Sequence, residues 1–89
     1  MYVKKTVIAN QTGLHARPAA EFVALAGKFK SRITLRRLDN HKEANAKSIV
    51  FVLSLGLAKD TQVEIAAIGE DEVEAVDALV NLLETGLRE

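Results

Sequence analysis

A histidine, an arginine and a proline stand at positions 15, 17 and 18 of this chain, just after a glycine at 13, in Thr12-Gly13-Leu14-His15-Ala16-Arg17-Pro18-Ala19-Ala20. Imidazole is a nucleophile that can hold a transferred group covalently. A helix begins here by pattern, which puts His15 at its N-terminal boundary. The first N–H groups of a helix have no internal partners and act as free donors. Together with the helix dipole they form a site for an anion. Arg17 adds a permanent charge and a planar fork of donors suited to phosphate oxygens. The same positive surroundings disfavour imidazolium and leave a ring nitrogen free to attack. Each dipole–charge contact is worth roughly 0.3–1 kcal/mol, a modest hold that suits a group meant to be passed on. The plain alternative is a surface histidine near a helix cap and a solubilising arginine, and these residues alone leave both open. His41, in a polar turn with no second histidine close by, reads as a solvated loop residue rather than a metal ligand.

The surrounding pattern must position that stretch. Tyr2 to Ala9 reads as a strand, although its alternation is imperfect. Asn10-Gln11-Thr12-Gly13 is turn chemistry. A helix is predicted from Ala16 to Lys28, with Ala19, Phe22, Val23, Ala26 and Phe29 on its apolar side. Pro18 falls in the first turn, where its missing N–H costs nothing. Strands are predicted over Ser31 to Leu38 and Lys42 to Asn45, joined by the turn Asp39-Asn40-His41. Ser48 can cap a short helix through Leu53 that stops near Gly56. Thr61 to Ile68 alternates cleanly, with Val63, Ile65 and Ala67 on one side. Gly69-Glu70-Asp71 opens a last helix, with acids at its positive end. Its inner stripe is read as Val73, Val76, Val80, Leu83 and Leu87. The order βαββαβα predicts an α+β open-faced sandwich, a four-stranded antiparallel sheet with three helices on one face. The other face is expected to be more polar and open to water.

Composition narrows the function. Eighty-nine residues make one domain, 1–89, with little room for a deep substrate cleft. That favours a carrier, inhibitor or binding module over a complete metabolic enzyme. Nearly half the residues are apolar, and the absence of cysteine excludes a disulfide framework and a thiolate metal site. Twelve basic residues balance twelve acidic ones, with one Tyr and no Trp, which argues against binding a nucleic acid backbone. No apolar run reaches the length of a membrane span. Met1 to Thr6 lacks the apolar stretch of a signal peptide. A cytoplasmic monomer, needing no metal or organic cofactor, is the expectation.

Two segments carry a resemblance. Gly13-Leu14-His15-Ala16-Arg17-Pro18-Ala19 resembles the active-site signature of the HPr family, the histidine-containing phosphocarriers of the bacterial phosphoenolpyruvate:sugar phosphotransferase system. Asn45-Ala46-Lys47-Ser48-Ile49, followed by Leu53-Ser54-Leu55-Gly56, is similar to that family's regulatory segment. The likeness runs over essentially the whole chain. It implies that His15 accepts a phosphoryl group at Nδ1 from phosphorylated enzyme I and donates it to an enzyme IIA component of a sugar permease. Arg17 would neutralise the phosphate in transit. It further implies docking of partners through Ala20, Ile49, Val50 and Leu53. Ser48 would be a regulatory phosphorylation site for a Ser-specific kinase, the product serving a catabolite-control repressor. The competing readings are a regulatory paralogue or a nitrogen-branch paralogue with little sugar-transport flux, and a plain ligand-binding domain. Helical spacing keeps Ile49, Val50 and Leu53 from all pointing inward, so Val50 is expected to be exposed. Two features depart from the family: Phe51, where a glycine or polar residue is usual, and a longer segment at Arg36-Arg37-Leu38-Asp39-Asn40-His41.

Overall fold

The computed structural model describes residues 1–14 and 16–86. The strands are β1 (Tyr2–Val7), β2 (Arg32–Arg37), β3 (Glu43–Asn45) and β4 (Gln62–Ile68). The helices are α1 (Ala16–Ala26), α2 (Ile49–Ser54) and α3 (Glu72–Asn81), and α3 runs on into a π-helical turn, Leu82–Gly86. The strands form one sheet in the order β1-β4-β2-β3. Every pairing is antiparallel. This is the open-faced sandwich that the element order predicts, and its ends fall within two residues of the predicted bounds for most elements. Among the described residues no helix is long and apolar enough to cross a membrane.

Alternation decides which face of the sheet is covered. Ile33 and Leu35 of β2 and Val63, Ile65 and Ala67 of β4 are buried and join the core. Phe22 of α1, Val52 of α2 and Val76, Leu79 and Leu83 at the C-terminal end pack into the same core. Strand β1 explains its own poor alternation. Its register sets Tyr2, Lys4 and Thr6 beside Ala67, Ile65 and Val63, the inward side of β4. These polar residues meet polar partners from the C-terminal helix. The Tyr2 hydroxyl donates to Asp77 at 3.1 Å, and Thr6 Oγ1 donates to Glu84 at 2.8 Å. Lys4 Nζ lies 2.8 Å from Asp77. An inward-leaning charge on an edge strand also discourages edge-to-edge pairing.

The inner stripe of α3 differs from the one read in the sequence. Val73 is 49% exposed, whereas Ala75, Val76, Leu79 and Leu83 are buried and Val80 is partly buried. The apolar sizes suggested a stripe beginning at Val73. A helix at 3.6 residues per turn, anchored by Val76 and Leu83, instead brings the small Ala75 under the sheet. Leu87 lies outside the described residues.

Candidate functional site

The loop before α1 is seated before any side chain is considered. Leu14 N donates to Leu57 O at 2.7 Å, and the Leu14 side chain is buried. Gly13 has φ +76°, and a Cβ there would overlap Leu57 O and stand 2.9 Å from Ala58 Cα. Only glycine meets both conditions. Asn10 closes the turn behind it: its Nδ2 donates to Gly13 O at 2.5 Å, and Gly13 N donates to Asn10 O at 3.2 Å. Ala16, the first residue of α1, has φ +49°. For a residue with a Cβ this costs roughly 1–2 kcal/mol, strain that recurs where backbone geometry serves a function.

His15 itself lies outside the described residues, so the site is defined by what flanks it. Arg17 is exposed in the first turn of α1. Among the described residues its guanidinium enters no ion pair. The first turn of α1 contains no acidic residue. The positive end of this helix is therefore not neutralised by its own side chains. Pro18 is buried and Ala20 is exposed. Ala20 lies three residues beyond Arg17, on the same face of the helix.

Helix α2 packs against α1 and shows water an apolar surface. Val50 is 68% exposed and Phe51 60%, with Ile49 and Leu53 at the margin of the same exposed set. Val52 alone is fully buried. The expected exposure of Val50 holds, and Phe51 enlarges the patch. Ser48 precedes α2 in extended backbone and is half-buried. Its hydroxyl caps nothing, contrary to the expectation from its position. Its carbonyl does accept from Val52 N at 3.0 Å. Its φ of −114° and ψ of 111° are the extended values usual at an N-cap, so the backbone is placed for a cap that the side chain does not make.

Two features lay beyond the reach of the sequence motifs. Arg37, inside the longer segment, donates through Nη1 to Leu55 O at 2.8 Å and Gly56 O at 3.1 Å. Asp39, two residues on, was the available signal for an ion pair. Asp71 accepts from Lys30 N at 2.8 Å, from Ser31 N at 2.9 Å and from the Ser31 hydroxyl. His41 is exposed, with its Nδ1 accepting from Arg36 Nη2 at 3.1 Å.

A four-stranded antiparallel sheet with helices on one face, the first of them starting with a basic residue and no acid of its own, defines a small α+β domain. The chain matches the family model described as the PTS HPr component phosphorylation site over residues 2–85, and it belongs to the HPr family. Its fold is similar to that of HPr-C-His from Thermoanaerobacter tengcongensis, 46% identical over 97% of this chain and 94% of that one, with a TM-score of 0.91. It is similar to the phosphocarrier protein HPr of Bacillus anthracis, 34% identical over 92% and 95%, with a TM-score of 0.88. It is also similar to Crh, the catabolite repression containing protein of Bacillus subtilis, seen as a swapped dimer: 38% identical over 100% of both chains, with a TM-score of 0.75.

Proposed function

We propose that this chain is a cytoplasmic phosphocarrier of one domain. It takes a phosphoryl group on His15 from phosphorylated enzyme I and delivers it to enzyme IIA components of sugar permeases. The observation that carries this reading is the exposed Arg17, unpaired among the described residues, in a first turn with no acid. In each transfer an imidazole nitrogen–phosphorus bond forms as the donor's bond to phosphorus breaks. The group then leaves by the reverse exchange. Arg17 and the free N–H groups of α1 offset the charge of the phosphoryl oxygens, and the partner supplies the rest, because in-line transfer needs mainly positioning and charge stabilisation. Ala20, Ile49, Val50 and Leu53 form the docking surface, extended by Phe51.

The test is mass spectrometry at neutral pH after incubation with enzyme I and phosphoenolpyruvate. The expected result is a gain of about 80 Da, one phosphate. Acid should remove it and His15→Ala should abolish it. No gain with an active enzyme I overturns the reading.

One observation favours a second, regulatory reading. The chain aligns with Crh along its full length, and Ser48 presents an uncapped hydroxyl before α2. Phosphorylation there would set a dianion beside the apolar patch and repel acidic partners. A kinase specific for Ser48 and a catabolite-control repressor would be its partners. Incubation with such a kinase and ATP, comparing Ser48→Ala, separates the two roles. The carrier is expected to act as a monomer, because Arg17 and the docking surface belong to one chain. Sedimentation tests this against the swapped dimer seen for Crh.

A further inference from the structure

The longer segment after β2 contains a brace that the carrier reading does not use. Arg37 ends β2, and its side chain is 25% exposed. Its Nε donates to Asp39 Oδ1 at 2.6 Å and its Nη2 to Asp39 Oδ2 at 3.0 Å. This fork-to-fork pairing sets the plane of the guanidinium. Its Nη1 is thereby aimed at two carbonyls, Leu55 O and Gly56 O. These are the carbonyls of the C-cap of α2 and of the residue after it, at the end of the helix that carries the apolar patch. The next residue, Leu57, accepts from Leu14 N, and the space beside Leu57 O admits only glycine at position 13. One chain of contacts therefore runs from Asp39 through Arg37 to residues 55–57 and on to the loop that leads into His15.

From these contacts we infer that Arg37, held by Asp39, is a positioning residue for phosphoryl transfer: it fixes the end of the docking helix and the seat of the loop before His15. This rests on the carrier reading above. Arg37 touches neither the phosphoryl group nor a partner in this role, so its loss should weaken productive docking more than the chemical step. An ordinary brace would lower stability and leave the folded protein's docking unchanged.

The experiment compares wild type with Arg37→Met, Arg37→Lys and Asp39→Asn, each confirmed folded by thermal unfolding. Initial rates of phosphoryl acceptance from enzyme I are measured over a range of carrier concentration. Arg37→Met should raise KM about tenfold with kcat within about twofold. Arg37→Lys should recover part of this, since a lysine reaches the carbonyls but lacks the fork that Asp39 holds. Combining Arg37→Met with Val50→Ser should raise KM by less than the product of the single effects, because both act through α2. Amide exchange gives a second readout without partners: the Leu14 amide should exchange faster in Arg37→Met while amides of α3 do not change. An unchanged KM in a destabilised Arg37→Met, independent effects with Val50→Ser, or unmoved exchange at Leu14 overturns the positioning role and leaves the carrier reading intact. A wild-type chain that takes no phosphoryl group overturns the carrier reading, and the positioning role with it.

Discussion

The starts of α1 and α3 are built alike and finished differently. Each is preceded by a glycine pressed against the chain: Gly13 against Leu57 and Ala58, Gly69 against Ser31. They lie toward opposite ends of α1, because Lys30 and Ser31, which bond Asp71, follow the C-terminal end of that helix. Eleven residues of helix separate the two ends by about 16 Å. At α3 the positive helix end is met from within. Asp71 collects the Ser31 hydroxyl and two backbone N–H groups, and Glu72 accepts from Gly69 N at 3.1 Å and pairs with the N-terminal amine at 3.3 Å. At α1 there is no such acid, and Arg17 adds positive charge. One end is met by acids of its own, and the other, among the described residues, has none in its first turn. A carrier of the proposed kind would need both, a closed end for stability and an open end with a place for its cargo.

The sharpest way to break this contrast is at its charges. Arg17→Ala should slow phosphoryl transfer about 10²-fold or more, as loss of a preorganised charge partner does elsewhere, with little change in the unfolding midpoint. Rapid-quench transfer kinetics beside thermal unfolding would show it. An unfolding loss as large as the kinetic one would mean that Arg17 belongs to the closed type of end.

The two glycines form the next pair. Gly13→Ala and Gly69→Ala should each cost about 3 kcal/mol, from positive φ and overlap with neighbouring backbone or Ser31. Urea unfolding measures both. Only Gly13→Ala should also slow transfer per folded molecule, because its neighbours lead to His15.

Acid should weaken the closed end. The Ser31 hydroxyl and nearby N–H groups hold Asp71 below the usual carboxylate range. Glu72 is lowered by Gly69 N and the terminal amine, and Asp77 by Lys4. A carboxylate whose folded pKa lies below its unfolded value contributes stability above the unfolded value. That contribution is lost as pH falls through the folded value. The stability gap between wild type and Asp71→Asn should therefore be full at pH 6 and shrink between about pH 5 and pH 2. A gap that stays constant down to pH 2 would mean that Asp71 serves only as a neutral acceptor.

The smallest effect on stability belongs to the docking surface. Val50 is largely exposed, so Val50→Ser should change unfolding free energy by no more than about 0.5 kcal/mol. It should nonetheless raise KM for a partner protein, read in the same transfer assay.

Much of this was legible from local pattern. The order of elements along the chain, the helix beginning beside His15, the buried alternation of β4 and the exposure of Val50 follow from periodicity and turn chemistry, which act over a few residues. The candidate site residues were legible as types and spacings, with Arg17 following His15 and Ser48 preceding an apolar run. Three things were decided by tertiary structure. The stripe of α3 shifted from Val73 to Ala75 because packing against the sheet follows helix geometry rather than side-chain size. The brace from Arg37 to Leu55 and Gly56 spans eighteen and nineteen positions, and the seat of Gly13 on Leu57 spans more than forty. Local propensity is written in neighbouring residues and can be read from them. Contacts that close such loops exist only after the whole sheet has brought distant segments together.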